Sequence, residues 1–252
     1  MDFELAKILE LMAEHAISSV KDEIPLFLHA RNIDKLYHFT ALENLESIAK
    51  FGLLGRNDLA EKEINYKPSD LERQEPILNG ICFSFTSPNK YMLNNKILRG
   101  HNLVILELQN LTQLLTTKNF IAIPGNFGSS IMKSELSQWP ENFIGGTGLS
   151  NLFRNEKIRN QYNIPVSEPT DPQSEVIFLD SIPWEFVRII YSPKIHGYAD
   201  RDVVREVIKK LPGSVIFQSQ SERLFPLLDW NNPQTRLEFD TRKWNKSWLQ
   251  DN

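Results

Sequence analysis

The apolar residues of this chain fall into short runs separated by polar and turn-forming segments, and that punctuation constrains the fold more than any other feature. Leu36 to Phe39, Ile81 to Phe85, Leu103 to Leu108, Phe120 to Ile123, Glu175 to Leu179, Val187 to Tyr191 and Val215 to Phe217 are each of strand length and rich in β-branched and aromatic residues. None approaches the roughly 18 apolar residues that a membrane-spanning helix needs. Such runs become stable only by pairing with one another, so a β-core is dictated.

Helical spacing appears between some of them. Leu5, Ile8, Leu9, Met12 and Ala16 predict an amphipathic helix over residues 3–17. Thr40 followed by Glu43 is a capping-box pattern that predicts a helix from Ala41 to Phe51, closed by Gly52. Asp200 to Leu211 places Val203, Val204, Val207 and Leu211 on one side. Arg56 to Asn79 reads as a long polar loop with one helical stretch around Ser69 to Gln74, and residues 133–173 as loops and short helices over an open face. The order is not a regular strand-helix-strand repeat, which makes the class α+β.

At 252 residues, with 41% hydrophobic and 10% aromatic content, the chain can bury one large core. We expect residues 35–230 to form it, residues 1–34 to be a helical extension packed against it, and 231–252 to be a basic tail bearing Trp244 and Trp248. Trp184, after Pro183, is expected in the core. The N-terminal residues mix acids into their apolar positions, so a soluble, unsecreted, cytoplasmic protein without membrane attachment is expected.

Several chemistries are excluded by what the chain lacks. The single cysteine, Cys82, rules out an internal disulfide and a cysteine-based zinc site. The histidines at 15, 29, 38, 101 and 196 are isolated, so no metal is expected. Phosphate-loop, dinucleotide-fold, zinc-protease and serine-hydrolase motifs are all missing. A net charge of −4 argues against coating duplex nucleic acid by bulk electrostatics, though not against a local basic groove.

What remains is three polar residues carried on strands: His38, Ser84 and Glu175. A carboxylate that opens an apolar strand is costly to bury without a partner, so Glu175 lies at a wet strand end or in a cleft. His38 reads either as a satisfied half-buried histidine or as a ligand contact, and Ser84 as a packed hydroxyl or a site residue.

The sequence LYHFTALENLESIAKFGLL, followed by FSFTSPNKYML, PGNFGSS, QSEVIFLDSIPWEFVRIIY and LLDW, resembles the DarT-type ADP-ribosyltransferases, from about Leu36 to Trp230 and in the same order. The resemblance implies an ADP-ribosyltransferase-like split mixed β-core with flanking helices, NAD as substrate, and transfer of ADP-ribose to a base of single-stranded DNA by the toxin of a toxin–antitoxin or phage-defence system. It makes Glu175 the catalytic glutamate, His38 the NAD-contacting histidine with Thr40 beside it, and Gln173 the first member of the Gln-x-Glu pair. The catalytic arginine is Arg73, with Arg56 as second choice. Gly125-Asn126 matches an element of the substrate loop, and either Ser84 or Tyr91 packs on nicotinamide. A cognate antitoxin is the implied partner.

Elementary chemistry suits these residue types. Cleaving the bond from nicotinamide to ribose builds an oxocarbenium-like charge, which a fixed carboxylate stabilises more than it stabilises the neutral sugar. The Gln173 amide can donate and accept, as recognition of a base requires. Basic residues interleaved with aromatics could track a single strand. Lys90, Lys96 and Arg99 with Tyr91 form one such cluster; Arg154, Lys157 and Arg159 with Phe153 and Tyr162 a second; Arg242, Lys243 and Lys246 with Trp244 and Trp248 a third. Solvated helix faces are the plainer reading of each. The other readings are the same chemistry on RNA, a protein ADP-ribosyltransferase, and an inactive relative that binds nucleotides or a partner.

Overall fold

The computed structural model describes residues 23–68, 79–85, 89, 92–93, 95–96, 99, 101–191, 206–207, 209, 211, 217–219 and 231–244. The helices expected over 3–17 and around Ser69 to Gln74 lie outside the described residues, as does most of Asp200 to Leu211. The expected class is the one observed: an α+β fold on a split, mixed sheet.

In chain order the elements are α1 (Glu23–Ala30), β1 (Leu36–Ala41), α2 (Leu45–Phe51), α3 (Arg56–Glu61), β2 (Ile81–Ser84), β3 (Leu103–Leu108), α4 (Leu111–Thr117), β4 (Phe120–Ile123), α5 (Ser130–Gln138), α6 (Gly145–Asn151), α7 (Glu156–Gln161), β5 (Glu175–Phe178), β6 (Val187–Tyr191), β7 (Phe217–Ser219) and α8 (Pro233–Arg242). Among the described residues the strands form a seven-stranded sheet in the order β4-β5-β2-β1-β3-β6-β7. All neighbours are antiparallel except β6 and β7, which run parallel.

Alternation along the strands shows how the sheet is buried. In β4 and β5, Phe120, Ala122, Val176 and Phe178 face one core, while Ile121, Ile123 and Ile177 face a second built with Phe127, Met132, Leu136 and Phe143. Side chains alternate across a strand with a period of two, so both faces of this half are covered. Glu175 is the one residue of these two strands that is not fully buried. The helix α1 inserts Ile24 and Leu28 into the first core, against which Trp184 also packs.

The sheet is continuous within its halves and nearly broken between them. β1 pairs with β3 from Leu36↔Leu108 to Ala41↔Leu103, and β2 with β5 from Ile81↔Phe178 to Ser84↔Glu175. β1 and β2 meet only at Tyr37↔Ser84. Strands that separate must satisfy their backbone groups in some other way, and the side chains that do so here belong to the site.

The capping box does not form. Thr40 is still in β1, and its Oγ1 accepts from Asn44 Nδ2 at 3.0 Å, while Glu43 pairs with Lys67. Asn44 also donates to the Lys67 carbonyl at 2.9 Å and accepts from its N–H at 2.7 Å. Long-range bonds to Lys67 thus compete out the local pattern, a short 3-10 turn follows β1, and the helix begins at Leu45. Gly52 does end it, at φ 79, and a Cβ there would lie 2.4 Å from the Ile182 carbonyl oxygen. Only glycine fits this close approach, which lets Leu53 and Ile182 exchange backbone bonds of 2.8 and 2.9 Å.

Candidate active site

The parting of β1 from β2 opens a cleft of about 190 Å³. His38 and Thr40 line it from β1, Cys82 and Ser84 from β2, Glu175 from β5, and Arg56 from α3. Glu175 is directly opposite Ser84, which is directly opposite Tyr37. Two interstrand steps of about 4.8 Å put β5 roughly 10 Å from β1, and Glu175 and His38 both line the cleft there.

His38 is fixed in rotation and tautomer. Its Nδ1 donates to the Cys82 carbonyl at 2.9 Å, and its ring lies 5.5 Å from that of Phe83. A carbonyl can only accept, so the proton is on Nδ1 and, in the neutral ring, Nε2 is an acceptor. The same bond gives Cys82 a partner where the β1–β2 ladder has stopped.

Ser84 is buried, and its Oγ accepts the Asn89 N–H at 3.1 Å. Thr40 is buried too, its hydroxyl engaged by Asn44. Arg56 is half-buried at the first turn of α3. That turn is oriented by Asn79, whose Oδ1 accepts the N–H groups of Asn57 at 3.1 Å and Asp58 at 3.4 Å. Arg73, Tyr91 and Lys90 lie outside the described residues.

Lys96 is in an unexpected place. It is only 6% exposed and lines the cleft beside His38 and Arg56, instead of standing on a surface track. A buried ammonium in a cleft meets a ligand's charge with little screening from solvent. Arg99, three residues later, is exposed and outside the cleft.

Gln173 and Asn126 line a second cavity, of about 490 Å³, together with Gly125, Asp171, Arg236 and Trp244. Gln173 is 6% exposed. Asn126 is exposed, and its Oδ1 accepts the Gly128 N–H at 2.8 Å, closing the turn between β4 and α5. Glu175 therefore faces one cavity, and the residue two before it faces the other. Arg154 is half-buried and lines neither.

The other two basic clusters also lose members to the interior. Arg159 is buried, donating to the carbonyls of Glu168 and Pro165, each at 2.8 Å. Arg242 is buried against Glu168. Both read as surface cations in the sequence, but each reaches carbonyl groups that its forked donors satisfy better than water can inside the fold. No local pattern announced either role. Among the described residues no cluster of histidine, cysteine, aspartate or glutamate is arranged to hold a metal, and no helix is long and apolar enough to cross a membrane.

The sheet is split, with His38 on one half and the strand-opening Glu175 on the other, and both line the cleft between them. The chain belongs to the DarT family: the family model described as ssDNA thymidine ADP-ribosyltransferase, DarT, matches residues 37–221. Among solved structures it is similar to Thermosipho africanus DarTG in complex with ADP-ribose, at TM-score 0.49 and 16% identity over 77% of this chain and 51% of that one. It is also similar to Thermus sp. 2.9 DarT in complex with NAD+, at TM-score 0.44 and 16% identity over 74% of this chain and 95% of that one. For the same Thermus protein in complex with ADP-ribosylated ssDNA the values are 0.43, 15%, 75% and 95%. This chain thus spans about half the length of the Thermosipho protein. No curated protein matches it.

Proposed function

We propose that this protein transfers ADP-ribose from NAD to a thymidine base of single-stranded DNA, releasing nicotinamide, and that it does so as a cytoplasmic toxin held in check by a cognate antitoxin, with defence against phage as its setting. The observation that carries the reading is the joint position of His38 and Glu175 on one cleft in a chain of the DarT family.

Each residue has a role in that reading. Glu175 holds the ribose hydroxyls next to nicotinamide and stabilises the positive charge that builds as the glycosidic bond breaks. His38 accepts a hydrogen bond from the adenosine-side ribose through Nε2 and keeps the dinucleotide bent, with Thr40 alongside. Arg56 and Lys96 take the diphosphate, and Arg73 acts on the diphosphate or the incoming base. Ser84 or Tyr91 borders nicotinamide. Nicotinamide leaves with the electrons of the broken bond, the base attacks from the Gln173 side, and it releases a proton as the new bond forms. Gln173 and Asn126 recognise the base, and Lys90, Arg99 and Arg154 meet the strand's phosphates. A flipped or unpaired base is required, which favours single strands.

Incubation with labelled NAD and separate pools of single-stranded DNA, RNA and protein tests the acceptor. Label in DNA supports the proposal; label confined to RNA or to protein would replace it with one of those acceptors, and no turnover of NAD would leave an inactive nucleotide-binding protein.

A further inference from the structure

The segment that delivers Gln173 and Glu175 is held by a part of the chain that the family match does not reach. The match ends at residue 221, and α8 begins at Pro233. At the end of α8, Arg242 is 7% exposed. Its Nε donates to the Thr170 carbonyl at 2.9 Å, and its Nη2 to Glu168 Oε1 at 2.6 Å and to the Pro169 carbonyl at 3.2 Å. One guanidinium thus grips three consecutive residues. Two positions further on, the Trp244 N–H donates to Asp171 Oδ2 at 2.6 Å. The other oxygen of Asp171, a residue only 2% exposed, accepts the Gln173 N–H at 2.7 Å. One buried carboxylate therefore joins the chain after α8 to the first residue of the Gln-x-Glu pair.

The arrangement is expensive as a stability device. A buried arginine and a buried aspartate each lose hydration, and well-packed apolar residues commonly serve a core as well or better. What charged, multiply bonded groups add is a defined geometry. The loop they fix, Glu168 to Gln173, leads without a break into β5 and Glu175.

We propose that Arg242 and Asp171 are positioning residues for the transfer: they lock the loop from Glu168 to Gln173 onto α8 and so set where Gln173 meets the acceptor and where Glu175 meets the ribose. This inference rests on the reading of the cleft given above.

The test uses the full chain, a thymidine-containing oligodeoxynucleotide, and rates expressed per NAD-binding site so that loss of folded protein does not count. Arg242→Met removes every donor while keeping the stem; it should slow transfer at least ten-fold with the KM for NAD within two-fold, and the Gln173 amide should exchange with solvent at least ten-fold faster. Arg242→Lys, which retains the charge and one donor, should recover part of both losses. Leu115→Ala, a core cavity in α4 away from the loop, should lower the melting temperature yet leave transfer per site within two-fold. Transfer by Arg242→Met within two-fold of wild type, a loss no larger than that of Leu115→Ala, or unchanged exchange at Gln173 would each overturn the proposal. If wild type leaves the oligonucleotide unlabelled, the acceptor reading fails by itself, and the exchange measurement decides whether Arg242 holds Gln173.

Discussion

Ser84 and Glu175 are paired in register across β2 and β5, so the hydroxyl at the end of one strand stands beside the carboxylate that opens the next. Ser84 also accepts the Asn89 N–H, which lies in the interior. Ser84→Ala strands that donor, and a buried unsatisfied N–H costs about 1–3 kcal/mol. Chemical denaturation should show a loss of that size. If Ser84 packs on nicotinamide as well, the KM for NAD rises with it; an unchanged KM assigns that contact to Tyr91.

The proposed function gives His38 two separable tasks, one with each ring nitrogen. Asparagine reproduces a donor near Nδ1 and glutamine one near Nε2. His38→Asn should therefore keep the bond to the Cys82 carbonyl and a melting temperature near wild type, while binding NAD at least ten-fold more weakly by titration calorimetry. Equal NAD affinity in this variant would reduce His38 to a support for the sheet split.

Lys96 and Arg99 are three residues apart yet belong to different surfaces. Lys96→Met should raise the KM for NAD and leave the salt dependence of DNA binding unchanged. Arg99→Ala should do the reverse, lowering the slope of log affinity against log salt by about 1 if it meets a phosphate. Identical effects of both on DNA binding would return Lys96 to a surface track.

Much of the fold was legible because each strand announces itself in its own few residues. Leu103 to Leu108, apolar but for Glu107, and Phe120 to Ile123, apolar throughout, are both buried throughout. His38, Ser84 and Glu175 could be picked out because a polar residue in such a run needs a reason. What was not legible depends on residues distant in sequence. Thr40 and Glu43 look like a helix cap until Asn44 and Lys67 claim them. The helix α8, with the sequence PQTRLEFDTR, has too few apolar residues to show a stripe, and its buried Arg242 finds partners 72 to 74 residues away. Lys96 and Arg159 likewise read as surface cations, since no sequence pattern reports that a cation's neighbours are carbonyls or a cleft.

Burial pushes the Asp171 carboxyl up to about 6, against the N–H groups of Gln173 and Trp244 and the charges of Arg242 and Lys243, all of which pull it down. The folded chain therefore keeps a proton that the unfolded chain, with an ordinary aspartate at 3.8, has already released. Its contribution to stability is greatest at acid pH, falls as pH rises from about 4 to about 6, and is level above that. Asp171→Asn should remove this component, so the difference in melting temperature between wild type and variant should change across that interval and be constant from pH 7 to 8. A constant difference from pH 4 to 8 would mean that Asp171 is ionised throughout.

The most direct test compares wild type and Glu175→Gln for NAD binding and for transfer to a thymidine-containing single strand. The amide keeps the shape of the side chain and removes the charge that the oxocarbenium-like state requires. Both proteins should bind NAD within about three-fold of each other, and the variant should transfer ADP-ribose at least about 10²-fold more slowly, the scale expected for loss of one preorganised electrostatic contact. Equal rates of transfer would contradict a catalytic role for Glu175, and with it the assignment of the cleft between β1 and β2 as the place where the nicotinamide bond is broken.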